Sequence, residues 1–296
     1  MTPLISVLMT AYNREKYIAE AIESVLASTY TNWELIVVDD CSEDRTVEIA
    51  RSYEAKDPRI KVYVNAKNLG DYPNRNRAAA YAKGKYLKYL DADDKIYPHG
   101  LEEMVKTMES FPEAGLGVSQ RTADDLIKFP YILSPREVYE LEYFKRGVIC
   151  LGPTGTIIRS DIFRKLGGFS VQRYLGDREM WLRIAREYAI VKITPDLVFW
   201  REHEGQEYVA GMESGAYLEE GYALEVGMLR DPLCPLDCVQ VKKALAGRKW
   251  RYGRDIVRMA FSKGQLLKAY EMYSKSDLGL TDMIKGICFK KDLYSV

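Results

Sequence analysis

The sequence predicts an α/β fold: a mostly parallel central sheet flanked by helices, with a helical C-terminal extension. Three observations predict it. Apolar strand-like runs alternate with helix-like periods through the first hundred residues, the strand runs are almost continuously apolar, and beyond about Gly211 only helical signals remain. Strands buried on both faces lose the in–out alternation of a half-exposed sheet, so continuous apolar runs between helices indicate parallel strands covered on two sides.

The elements follow in order. LISVLMTAY is the first strand, and EKYIAEAIESVLAS repeats apolar residues at helical spacing (Ile18, Ala21, Ile22, Val25, Leu26). WELIVVDD is a second buried strand, DRTVEIARSYEA a helix that Asp44 can cap, and IKVYVN a third strand. PNRNRAAAYAKG is a third helix and KYLKYLDADD a fourth strand. Further on, HGLEEMVKTMESF predicts a helix and GLGVSQRTA a strand, while the stretch to Gly147 shows no regular period. GPTGTIIRS reads as strand, LGDREMWLRIAREY as an amphipathic helix, AIVKITPDLVFWREHE as strand then loop, and RDIVRMAFSKGQLLKAYEMYSKS is the clearest of the helical signals after Gly211.

Composition excludes several classes. The 296 residues are 47% hydrophobic and 29% charged with zero formal net charge, which rules out a disordered, collagen-like or disulfide-stapled chain. The N-terminal run lacks a basic start and turns polar after Met9, and no apolar run approaches the roughly 20 residues that span a bilayer. The expected location is therefore the cytoplasm. Five cysteines without a secretion signal are expected to be reduced and buried; the CPLDC pair, Cys234 and Cys238, lacks the second Cys/His pair a zinc site needs. From Lys242 to Val296 there are 13 Lys/Arg against 5 Asp/Glu, a net of +8, so residues 1–241 carry −8. A basic tail on an acidic body can attract an anionic surface or simply be a solvated helical face.

In a parallel sheet, ligands bind outside the carboxyl ends of the strands where strand order reverses. Those ends carry Thr10-Ala11-Tyr12-Asn13, Asp39-Asp40 and Asp91-Ala92-Asp93-Asp94. Neither G-x-G-x-x-G nor G-x-x-x-x-G-K-[ST] is present, so the edge is rich in carboxylates rather than glycines. Three carboxylates closing an apolar strand are costly unless a positive charge compensates them. Oxygen-only ligands one residue apart suit Mg2+ or Mn2+ carrying a diphosphate; an Asp cluster that merely caps the next helix is the competing reading.

SVLMTAYNREKYIAEAIESVLASTYTNWELIVVDDCSEDRT and NLGDYPNRNRAAAYAKGKYLKYLDADD resemble the glycosyltransferase family 2 group of GT-A fold enzymes, densely over residues 4–95. The resemblance continues more sparsely through GGFS, GDREMWLRIAR and REHEG to about residue 206. It implies an inverting, metal-dependent transfer of a sugar from a nucleoside diphosphate, UDP first, to a glycan or lipid-linked acceptor in bacterial surface polysaccharide assembly. It also implies roles. Thr10, Ala11, Tyr12 and Asn13 would frame the base, Asp39 would accept a hydrogen bond from it, and Asp40 would lie near the ribose. Arg75 would approach the nucleotide, Asp91 and Ala92 the ribose or sugar, and Asp93 would be the main ligand of Mn2+ or Mg2+. Asp177 in LGDREMW would be the base that deprotonates the acceptor, or a helix cap; many members have Glu before it, where this chain has Gly176. His203 in WREHEGQ would bind the metal or the leaving diphosphate, unless it is a solvent-exposed loop residue, and His99 is expected to cap a helix. Trp181 falls on an apolar helix face and is expected in the core.

The domains that follow are 1–210 for catalysis, split into 1–98 for the nucleotide sugar and 99–210 on the acceptor side, and 211–296 as a helical extension. A sugar nucleotidyltransferase is disfavoured because AYNREKY, after the first strand, has no glycine to cradle a triphosphate. A donor-binding module without activity rests on Gly176 alone, and a nucleic-acid partner on the basic tail without a reader motif. Arg248, Lys249, Arg251, Arg254 and Arg258 cluster with Trp250 and Tyr252, a pattern that suits peripheral contact with an anionic membrane at its inner face, or else a lid or dimer-forming helix.

Overall fold

The structure, a computed structural model, describes residues 2–120, 128–170, 173–203, 216–262 and 264–288. Its residues group into two compact units: Met1–Pro135 with Ile149–Glu204, and Arg136–Val148 with Gly205–Val296. The expected boundary at 210/211 lies outside the described residues.

The first unit is built on an eight-stranded sheet. Its strands are β1 (Ile5–Ala11), β2 (Trp33–Asp39), β3 (Ile60–Val64), β4 (Tyr86–Tyr89), β6 (Ala114–Ser119), β7 (Tyr131–Leu133), β8 (Thr156–Arg159) and β9 (Ala189–Ile193), in the order β3-β2-β1-β4-β8-β6-β9-β7. Pairings β1–β2, β1–β4, β2–β3 and β6–β9 are parallel; β8 runs antiparallel to β4 and β6, and β7 to β9. A mostly parallel sheet is what the apolar runs predict. Helices α1 (Ile18–Leu26), α2 (Thr46–Glu54), α3 (Asp71–Tyr81), α4 (Gly100–Ser110), α6 (Ser160–Lys165) and α7 (Gly176–Glu187) accompany it. Their apolar stripes and the strands make a dry core running through Val7, Ile22, Leu35, Leu101 and Val191. Strand order reverses between β1 and β4, the two strands that end in TAYN and DADD.

A second, two-stranded sheet pairs β5 (Lys95–Ile96) antiparallel with β10 (Val198–Phe199). It brings the loop carrying Arg201 and His203 back to the end of β4. A separate aromatic cluster fixes α3, β4 and α7: Phe169 of the GGFS motif lies 5.3 Å from Tyr72, 5.4 Å from Tyr89 and 5.9 Å from Trp181 between ring centroids. Gly167 and Gly168 take φ of +80° and +76°, a region that L side chains rarely adopt. Asn76 then clamps Phe169 from both sides, Nδ2 donating to its carbonyl at 2.8 Å and Oδ1 accepting its N–H at 2.9 Å. Trp181 is fully buried, with its indole N–H donating to the Leu151 carbonyl at 2.9 Å, as core packing requires.

The second unit holds α5 (Pro135–Phe144, from Arg136 onward), α8 (Ala216–Arg230), α9 (Cys238–Ser262), α10 (Leu266–Lys275) and α11 (Leu280–Cys288). Tyr252, Ile256 and Met259 of α9 pack with Ala269 and Met272 of α10 and with Leu278. Arg248 is buried and pairs with Glu225 at 2.8 Å, while its guanidinium also donates to the Glu142 carbonyl at 2.7 Å.

Three local expectations are corrected. The stretch before Gly147 contains β7 and α5; α5 begins on Pro135, which suits a first helical position, and its period is masked because the buried face includes Glu142, whose carboxylate accepts the Val148 N–H. His99 precedes α4 without a side-chain capping bond. The cysteines are free thiols, but Cys150, Cys238 and Cys288 are exposed rather than buried.

Gly84 is where β4 enters the sheet. Its N–H donates to Ser6 Oγ at 2.8 Å and its carbonyl accepts from Ser160 Oγ at 2.6 Å. A Cβ there would stand 2.6 Å from the Ser6 nitrogen and 2.8 Å from the Leu4 carbonyl, both backbone atoms. Gly84→Ala is expected to cost about 2 kcal/mol, read as a lower urea midpoint at unchanged slope.

Candidate functional site

The three carboxylates that end β4 are gathered by neighbours from three other segments. One oxygen each of Asp91, Asp93 and Asp94 lie within 4.8 Å of one another. Asp93 Oδ2 accepts from Arg14 Nε at 2.8 Å and lies 2.9 Å from His203 Nε2. Asp91 Oδ1 accepts from Arg75 at 2.7 Å, and Arg75 Nε also reaches Asp71 at 2.8 Å. Arg201 closes the set: its N–H donates to Asp94 Oδ1 at 3.0 Å and its Nε to the Asp93 carbonyl at 2.9 Å. Burial and the neighbouring Asp91 charge push the Asp94 carboxyl up to about 7. Beneath the cluster Lys88 is fully buried, its ammonium donating to the Tyr89 carbonyl at 2.7 Å and to that of Thr154; burial brings its pKa down to about 7.

The other two strand ends meet this cluster at the switch point. Ala92, buried, donates its N–H to the Thr10 carbonyl at 3.3 Å, and Asp40 donates its own to the Ala11 carbonyl at 2.8 Å. Asn13 turns the chain at φ +53°; its N–H donates to Ser42 Oγ at 2.8 Å, and that hydroxyl donates to Asp39. Asp39 also accepts the Ser42 N–H at 2.8 Å, so Asn13 and Asp39 share one serine. Tyr12 stands 44% exposed beside them, an aromatic face open to solvent. Asp40 turns inward: it accepts from Asn65 Nδ2 at 2.7 Å and from the N–H groups of Leu69 and Gly70 at 2.8 and 2.9 Å. That grip fixes the turn into α3, and therefore the approach of Arg75.

Asp177 joins through α3. Tyr72 and Arg75 are three residues apart, on one side of that helix. Tyr72 and Arg75, which holds Asp91, both lower the pKa of the Asp177 carboxylate. Burial outweighs these and pushes the Asp177 pKa up to about 6. Gly176 has a physical reason: a Cβ there would lie 2.7 Å from two carbons of the Tyr72 ring. Arg183, two turns along α7, holds the glycine turn by donating to the Gly168 carbonyl at 3.0 Å and to that of Leu166.

The sequence-predicted residues thus form three linked groups: Asp91, Asp93 and His203; Asn13 with Asp39; and Asp177. Sequence reasoning missed Arg14, Ser42, Tyr72 and Arg201. Arg14 and Arg201 had a visible signal, since each is a basic residue inside a quoted motif, MTAYNREKY and WREHEGQ. Ser42 and Tyr72 had none.

The donors fit a hard divalent cation. They are carboxylate oxygens at one strand end, and among the described residues Asp94 Oδ2 is buried without a hydrogen-bond partner. N–H donors of Arg14, Arg75 and Arg201 on the carboxylates, with His203 beside Asp93, already compensate part of the charge, so the cluster is held as a polar network.

Comparisons with known proteins agree with this architecture. The family model for glycosyl transferase family 2 matches residues 6–167. An uncharacterized glycosyltransferase of Rickettsia typhi is 29% identical over 309 residues, spanning 100% of this chain and 92% of that protein. S. aureus TarS 1-349 in complex with UDP-GlcNAc has a TM-score of 0.63 at 19% identity, covering 98% of this chain and 80% of that one. Mannosyltransferase PcManGT from Pyrobaculum calidifontis, in complex with GDP-Man and Mn2+, has a TM-score of 0.64 at 17% identity, covering 97% and 85%. These structures share the GT-A fold. A family match over more than half the chain, on that fold, makes this chain a member of glycosyl transferase family 2 and a glycosyltransferase.

Proposed function

We propose that this glycosyltransferase moves a sugar from a nucleoside diphosphate, UDP first, to an acceptor hydroxyl with inversion, using Mn2+ or Mg2+ at Asp93. The observation that carries the reading is the convergence of Asp91, Asp93 and Asp94 with Arg14, Arg75 and His203 at the sheet's switch point, with Asp177 tied to them through Tyr72. The nucleotide sugars in the TarS and PcManGT complexes, and the Mn2+ in the latter, support a donor and metal of the same classes here.

Thr10, Ala11, Tyr12 and Asn13 line the base site, with the Tyr12 ring as a stacking face and Asp39 as acceptor. Asp40 acts from beneath, by setting the loop into α3. Asp91 and Ala92 take the ribose or sugar, and Arg75 holds Asp91 in place. Asp93, with His203 sharing its oxygen, would hold the cation, which would supply positive charge against the departing diphosphate. Arg14 competes for that oxygen, and once released its guanidinium is free to meet phosphate oxygens bidentately. Asp177 removes the acceptor proton; one displacement from the opposite face inverts the anomeric carbon. Residues 1–98 take the donor, 99–210 the acceptor side and 211–296 form the extension; the acceptor is a glycan or lipid-linked sugar of surface polysaccharide assembly.

Thermal-shift titration with UDP, GDP, dTDP and CDP sugars, with and without Mn2+, tests the site. One nucleotide should stabilise the chain only with metal, and Asp93→Asn should abolish that dependence; no metal-dependent shift with any donor sinks the reading. Asp177→Asn should keep donor binding and lower transfer about a thousandfold. Wild-type donor binding with no turnover on any acceptor would instead favour a binding module. Because a base works deprotonated, kcat/KM should rise with pH up to about 6 and level off above it. Tyr72 lowers the carboxylate's pKa, so in Tyr72→Phe the rise should move to higher pH.

Arg14→Ala should tighten donor-free Mn2+ binding, measured by the loss of the free-ion electron paramagnetic resonance signal. The Arg14 side chain is 26% exposed and that of Asp93 11%, so solvent screens the pair and the gain should be about fivefold. Unchanged or weaker Mn2+ binding would remove Arg14 from the metal's competitors.

A further inference from the structure

The geometry points to Lys88 and Thr154 as positioning residues of the donor site. Together they hold the end of β4, and so the aspartates that follow it, where the backbone ladder to β8 has ended. The inference rests on the reading above for what those aspartates bind.

The gap is set by topology. On one side β4 stays tied to β1 past its own last residue: Leu90 donates its N–H to the Leu8 carbonyl at 3.0 Å, and Ala92 to that of Thr10 at 3.3 Å. On the other side, among the described residues, the ladder with β8 has two paired positions, Tyr86 with Arg159 and Leu87 with Ile158. Before Thr156 the neighbouring chain is a short 3-10 turn, Pro153–Gly155, not a strand. Backbone groups alternate sides along a strand, so with Leu90 and Ala92 directed at β1, those of Tyr89 and Asp91 face this turn.

Side chains fill both places. The Lys88 ammonium donates to the Tyr89 carbonyl at 2.7 Å and to the Thr154 carbonyl, bridging strand and turn. Thr154 Oγ1 accepts the Asp91 N–H at 3.3 Å. Lys88 is fully buried and Thr154 nearly so, and a polar group stranded there without its bond is costly. The same turn also braces α7, because the Leu151 carbonyl accepts the Trp181 indole N–H at 2.9 Å. One short segment thus supports both the aspartate end of β4 and the helix that carries Asp177.

A lysine is an expensive bridge, since Leu87, Tyr89 and Leu90 around it are fully buried. Its charge faces the site: Asp91 and Asp94 act on the ammonium electrostatically and favour its charged form against burial. Arg14 and Arg75 each take a carboxylate oxygen. Lys88 spends these two bonds on carbonyls, so it offsets the negative cluster from beneath while occupying none of the oxygens that a cation or a sugar needs.

The test compares Thr154→Val, which keeps the shape of the side chain and deletes the hydroxyl, with Thr154→Ser, which keeps the hydroxyl. In the full chain, Thr154→Val should weaken donor-free Mn2+ binding about fivefold, read from the free-ion electron paramagnetic resonance signal. It should also speed amide hydrogen exchange across residues 89–94 by about the same factor, with β2 exchanging at the wild-type rate. Thr154→Ser should restore both. Lys88→Met also removes a charge that repels the cation, so it is read by exchange alone, which should quicken over the same residues. Exchange needs neither metal nor donor. A wild type that binds no Mn2+ therefore sinks the metal reading, while exchange in the three variants still decides the inference. Wild-type exchange at 89–94 in Thr154→Val and Lys88→Met overturns it, as does loosening spread evenly over the sheet, or a Thr154→Ser chain as loose as Thr154→Val. So does faster exchange in Thr154→Val with Mn2+ bound as tightly as in the wild type, because the hold would then serve the fold and not the site.

Discussion

The arrangement of the first unit follows from one electrostatic constraint: a run of aspartates is placed where an apolar strand leaves the core. Asp93 and Asp94 are nearly buried, and buried like charges must be countered or neutralised. The fold counters them with donors from distant parts of the chain. Arg14 comes 79 residues before Asp93 and His203 110 after it. Arg75 is aimed by α3, whose entry Asp40 fixes, and Arg201 is delivered by the small β5–β10 sheet. Remove the cluster and these distant segments lose their common partner.

The second determinant is the aromatic packing around Phe169. A turn of two positive-φ glycines lets its ring reach Tyr72, Tyr89 and Trp181 together. Tyr72 then occupies the volume that a side chain at 176 would fill and lowers the Asp177 pKa. The departure from the family pattern at Gly176 thus has a steric reason in this chain: the Tyr72 ring on α3 stands where a side chain would begin. The carboxylate stays in a setting whose burial raises its pKa toward neutrality.

Much of this was legible in the sequence because local signals and global fold agree. LISVLMTAY, WELIVVDD and KYLKYL could only be buried strands, and their polar ends named the edge where a site must lie. What stayed hidden was non-local. Nothing in NREKY or DYPNR says that Arg14 will reach Asp93 or that Tyr72 will lie beside Asp177, because those pairs exist only once the strands are in register. Helix α5 was hidden for a different reason: Glu142 sits on its buried face and breaks the apolar period, since its partner is a backbone N–H that only the folded turn at 147–148 presents.

The grouping of residues 136–148 with the C-terminal helices has a consequence for how the protein can be made and altered. The first unit is interrupted in sequence, and the interruption belongs to the second. Tyr143 donates its hydroxyl to the Glu225 carbonyl at 3.4 Å, and the Arg248 guanidinium lies 4.9 Å from its ring. A ribosome therefore releases α5 well before the helices that cover it exist, leaving Val138, Tyr139 and Tyr143 to wait through the synthesis of about a hundred residues. For the same reason the extension is not a module that can be trimmed or swapped at one cut. Any exchange of the tail between relatives would have to carry the 136–148 segment with it, so the two pieces are expected to vary together.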